Sequence, residues 1–66
     1  MKWIEYRVHW GEDGESYECM TYKGADWRKW KQHIGEEGVV WIERVTCIES
    51  MPCPYEEYEI LWTVDE

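Results

Sequence analysis

The residues that most often carry chemistry are few and scattered. The chain has two histidines, His9 and His33, and three cysteines, Cys19, Cys47 and Cys53, with no C-x-x-C pair and no Cys/His pair at metal-ligand spacing. A zinc site would need the fold to gather them from distant positions. A histidine brought beside a cysteine would make a thiolate nucleophile, and Cys53, flanked by Pro52 and Pro54, is the cysteine a thiol enzyme would use. Glu36-Glu37 and Glu56-Glu57 are adjacent in sequence, so their side chains diverge, whereas acid–base catalysis needs two carboxylates that converge. There is no Gly-rich phosphate loop and no G-x-S-x-G. The expectation is a protein that is not an enzyme and that uses neither metal nor cofactor.

Charge offers two further chemistries. Lys23, Arg28, Lys29 and Lys31 are four of the seven basic residues, and Trp27 and Trp30 interleave with them, as on a nucleic-acid surface. Against this, the net charge is −8, and from Gln32 onward one arginine faces nine acids. An acidic surface repels phosphate and steers toward basic partners. Glu56, Glu57, Glu59, Asp65 and Glu66, with Glu36, Glu37, Glu43 and Glu49, could imitate a phosphate backbone and occupy a basic groove on another protein. That is the chemistry of a small phage-type inhibitor acting on a host protein.

The elements that position these groups are limited by length. Sixty-six residues allow a single domain over residues 1–66, and a core this small needs large side chains. Six Trp and five Tyr supply them in place of Phe. No apolar run reaches the roughly 20 residues of a membrane span. Met1–Glu5 has no apolar h-region, so no signal peptide is expected, and the cysteines read as reduced thiols of a cytoplasmic protein. A Cys47–Cys53 bridge across one hairpin end is the alternative.

Along the chain the order reads strand, strand, helix, strand, strand. Lys2–Trp10 alternates, with Ile4, Tyr6, Val8 and Trp10 on one face. Gly11-Glu12-Asp13-Gly14 is a turn. Glu15–Lys23 returns with a break in phase that suggests a bulge. Asp26 caps a helix of about ten residues whose stripe is Trp27, Trp30 and Ile34, ending at Gly35. Val39–Ser50 and Tyr55–Glu66 are strands separated by Met51-Pro52-Cys53-Pro54. The second of them places Tyr58, Ile60, Trp62 and Val64 on the inward face. The expected fold class is α+β, a ββαββ sheet of four strands with one helix on one face, ordered as in a small β-grasp or all-antiparallel.

One helix covers one face, and the third strand carries more apolar residues than that face absorbs. If Val40, Ile42 and Ile48 point inward, then Val39, Trp41, Val45 and Cys47 point out, unless a bulge near Glu43-Arg44 switches the phase. Trp3 and Leu61 fall on the same outer side. An apolar patch of this kind marks a contact surface. The expected function is therefore non-catalytic binding to a protein, through Trp3, Trp41, Val45 and Leu61 with Glu56, Glu57 and Glu59, or pairing with a second copy through the open face. The alternative is nucleic-acid binding through Lys23, Arg28, Lys29 and Lys31. No membrane role is expected.

Overall fold

The computed structural model describes residues 1–26, 28–50 and 52–64. It contains four strands: β1 (Lys2–Glu12), β2 (Glu15–Lys23), β3 (Val39–Ile48) and β4 (Tyr55–Thr63). They form one sheet in the order β2-β1-β3-β4, and every pairing is antiparallel. Alternating β-branched and aromatic side chains favour these strands locally. Asp13 at φ 53° and Gly14 at φ 80° close the first hairpin, a two-residue turn whose left-handed backbone matches the sheet's twist. Gly11 is required because a Cβ there would lie 1.6 Å from the Glu15 carbonyl oxygen.

The α+β class is corrected by this structure, because among the described residues there is no α-helix and the protein is mostly β. The segment expected to be helical forms two short 3₁₀ turns, Gly24–Asp26 and Lys29–His33. Lys31 N–H donates to the Arg28 carbonyl at 3.3 Å and Ile34 N–H to Lys31 at 3.2 Å, both i→i−3. Tryptophan, histidine and isoleucine are mediocre helix formers, and a helix this short pays nearly the full cost of nucleation. Asp26 accepts from Lys29 Nζ at 3.2 Å rather than capping a helix. Trp27 lies outside the described residues.

The change of period changes what is buried. In a three-residue period, positions 30 and 33 share a side, so Trp30 and His33 face the sheet together. His33 is 8% exposed while Ile34, expected in the stripe, is 46% exposed. Trp30 stacks on Tyr6 and His33 on Tyr22, with Trp10 edge-on to His33. His33 Nε2 lies 2.7 Å from Tyr22 Oη and its Nδ1 3.1 Å from Glu36. The described residues after Asp26 thus carry Trp30 over β1 against the cluster of Val8, Val39 and Ile42 on one face of the sheet. Without a crossover helix, β1 and β4 do not pair in parallel as a β-grasp requires.

Three shifts in register bend the sheet. They leave Tyr17 in β2, Val40 in β3 and Leu61 in β4 as extra residues. The shift beside Glu43, where a bulge was expected in β3, puts its extra residue in β4 instead. The bulge at Leu61 inverts the expected facing of β4. Trp62 lies opposite Ile42 on the covered face, whereas Ile60 and Tyr58 lie opposite Glu43 and Val45 on the other. Both had been expected in the core, and they are 57% and 59% exposed. Among the described residues no helix is long and apolar enough to cross a membrane.

Candidate interaction face

The uncovered face is built in rows across the strands. One row joins Trp3, Cys47 and Glu56, and the next Lys23, Glu5, Val45 and Tyr58. The third joins Thr21, Arg7, Glu43 and Ile60, and the fourth Cys19, His9, Trp41 and Thr63. The ring contacts of Trp30 and His33 fall on the other face, and these rows are covered by their own long side chains. Val45 is fully buried beneath them and Cys47 nearly so.

The feature that the alternation pattern did not reveal is a buried ionic network. Glu5 and Glu43 are only 9% and 8% exposed. Carboxylates at that depth need compensating donors. Glu5 accepts from Trp3 Nε1 at 2.9 Å, from Arg7 Nη2 at 3.0 Å and from Lys23 Nζ at 3.4 Å. Arg7 Nη2 also donates to Glu56 Oε2 at 3.0 Å, spanning from β1 to β4 above Val45. The Trp3 hydrogen bond, helped by Arg7 and Lys23, holds the Glu5 carboxyl below its usual range against the cost of burial. The Tyr58 hydroxyl donates to Glu56, which holds that carboxyl down and the phenol up.

A second unit lies along the same face. His9 Nε2 is 2.5 Å from Glu43 Oε2, its Nδ1 is 3.1 Å from Ser16 Oγ, and its ring stacks on Trp41 at 4.2 Å. Ser16 Oγ in turn donates to the Glu18 carbonyl at 3.2 Å.

The cysteines are free thiols. Burial pushes the Cys47 thiol up, with Glu5 and Glu56 adding to the effect, and burial also raises Cys19. Cys47 Sγ donates to Glu56 Oε2 at 3.7 Å. Among the described residues no group of three or more His, Cys, Asp or Glu gathers to hold a metal ion.

Of the residues expected to bind protein, Trp3, Trp41, Val45 and Glu56 share the open face, but Val45 is its floor rather than its surface. Leu61 is half-buried in the bulge. Glu57 and Glu59 lie on the opposite face, facing Thr46 and Arg44, and Arg44 is ion-paired to Glu59. Asp65 and Glu66 lie outside the described residues. The basic residues do not form a single ridge. Lys23 belongs to the open face through Glu5, Lys29 is paired with Asp26, and Lys31 sits 5.9 Å from the Trp30 ring centre. Arg28 is exposed where the second 3₁₀ turn begins.

Sequence reasoning put Glu5, Arg7 and His9 on one face of β1 with Trp3 but missed their burial in a network, and it missed Glu43, Tyr58 and Ile60 as members of that face. The only signal was the polar run Glu5, Arg7, His9 at alternate positions, which reads equally as a solvated strand face. Compared with known proteins, the chain matches no family model, no curated protein and no solved structure, so the chemistry of this face is read from its own residues.

Proposed function

We propose that this chain is a non-catalytic protein-binding module that works in the cytoplasm and engages its partner through the open sheet face. The observation that carries this reading is the exposure of Trp3, Tyr58 and Ile60 around an ionic network that is already internally compensated. Apolar and aromatic side chains of this kind gain free energy when a partner excludes water from them. The buried carboxylates beneath are satisfied by their own donors, so docking leaves no charge newly unpaired. With a net charge of −8 the complementary surface is basic. The same charge opposes a second copy. The acids of β4 are divided between the two faces, which supports a contact face more than a strip imitating phosphates.

The test is capture by the tagged chain from source-cell lysate, with and without nuclease, scored against two variants. Tyr58→Ser/Ile60→Ser removes the exposed side chains of the open face, and Met20→Ser removes an exposed one from the covered face. A protein retained by the wild type and Met20→Ser after nuclease, but lost by the double variant with its circular dichroism unchanged, is the expected result. Equal retention by all three refutes the face, and retention that vanishes with nuclease refutes the protein-binding reading.

A further inference from the structure

At one end of the open face the side chains form a cleft of about 470 Å³, lined by Trp3, Cys47, Pro54, Tyr55, Glu56 and Tyr58. We infer that this cleft receives the guanidinium of an arginine presented by a basic protein partner, an assignment that rests on the protein-binding reading above.

The geometry follows from the register. Trp3 on β1 and Glu56 on β4 flank Cys47 on β3 in one row. Two strand spacings separate the outer pair by about 9.6 Å. Cys47 between them is small and buried, so it forms a low floor with taller side chains on either side. Tyr58 stands one row further along β4 and lines the same cleft as Trp3, so a flat group on this floor has an aromatic side chain on either outer strand. A guanidinium is planar, stacks on aromatic faces and carries a fork of donors matched to a carboxylate. Trp3, Tyr55 and Tyr58 are all exposed and Glu56 stands among them, so faces and acceptor are both present.

Charge selects a cation over an apolar side chain. Glu5 and Glu56 are balanced by Arg7 and Lys23, but Glu56, the one carboxylate that lines the cleft, has to share Arg7 with Glu5. Lys23 reaches Glu5 from β2, on the far side from the cleft. The wider field of a chain at −8 has the same sign. Arg7 itself shows the chemistry, since its guanidinium already bridges Glu5 and Glu56 at 3.0 Å from each. Glu56 Oε2 already accepts from Arg7 and Cys47 and Oε1 from Tyr58, so one lone pair on Oε1 is left for a further donor from the cleft side.

The experiment titrates the intact chain with acetyl-Gly-Arg-Gly-amide and its citrulline and leucine counterparts, following the Trp3 indole and the Tyr58 ring by NMR. The expected result is a saturable shift of both by the arginine peptide. Binding should weaken roughly tenfold with citrulline, which keeps the shape but not the charge. Glu56→Gln should abolish that preference, Tyr58→Ala should weaken binding, and Met20→Ser should do neither. Since Glu56 and Tyr58 are exposed, these variants are expected to stay folded, and their NMR spectra check this directly. Equal binding of citrulline or leucine peptide, no response of Trp3 and Tyr58 to any peptide, or a preference that survives Glu56→Gln overturns the inference. Failure here with capture still lost in Tyr58→Ser/Ile60→Ser removes the arginine assignment alone. Loss of that face dependence removes the protein-binding reading itself.

Discussion

Replacing Arg7 by methionine keeps the stem that crosses above Val45 but deletes the charge that Glu5 and Glu56 share. Stranding a deeply buried carboxylate costs about 3–5 kcal/mol. Glu5 retains Trp3 Nε1 and Lys23 as donors, and Arg7 is itself only half-buried, so the loss should be smaller. We expect about 2 kcal/mol at pH 7, in line with a charge-assisted hydrogen bond. In a domain of this size that lowers Tm by roughly 10 °C. The pH dependence distinguishes this cause from simple repacking. Glu5 has a depressed folded-state pKa, so its contribution is present above the unfolded carboxylate value and is lost as pH falls through the lower folded value. The deficit of Arg7→Met should therefore be full at pH 7 and shrink below about pH 4. Urea unfolding at intervals from pH 7 to pH 3, followed by tryptophan fluorescence, measures both quantities. A deficit under about 0.5 kcal/mol at pH 7, or one of equal size at pH 3, would refute the network as the reason these carboxylates are buried.

Two further substitutions test the frame that holds the face. Gly11→Ala puts a methyl 1.6 Å from the Glu15 carbonyl, whereas Gly24→Ala meets its nearest atom, the Ile4 carbonyl oxygen, at 3.5 Å. Urea unfolding should show a loss of about 2 kcal/mol or more for the first and little change for the second. Val45→Ala should cost about 1–2 kcal/mol because the side chain is fully buried, while Ile60→Ser on the same face should cost under about 0.5 kcal/mol. The reverse order would mean that Val45 is a contact residue and Ile60 a core one.

Much of the fold is legible locally. Period-two alternation in Lys2–Trp10, the Asp13-Gly14 turn and the prolines at 52 and 54 bound the strands, because each acts through its own backbone or its immediate neighbours. The helix expected after Asp26 failed for a reason that is also local but finely balanced. Positions 27, 30 and 34 fit a period of 3.6, while 30 and 33 fit a period of three. The choice went to the latter when His33 found Tyr22, Glu36 and Trp10 around it. None of those partners is visible from the helical stripe.

The sequence alone determined four strands, a first hairpin turning within Gly11–Gly14, an excess of aromatic side chains over what one small core absorbs, and an acidic net charge. Only the tertiary structure decided which side chains the open face displays. A single extra residue at Leu61 moved Tyr58 and Ile60 from the expected core to the surface and carried Glu57 and Glu59 to the opposite face. A bulge is set by how two strands pair, and a one-residue slip inverts every side chain beyond it, so no pattern within β4 could report it. The burial of Glu5 and Glu43 has the same origin. Whether a charge is covered depends on neighbours two strands away, and for these carboxylates those neighbours are Arg7, His9, Trp3 and Tyr58, brought together by cross-strand register.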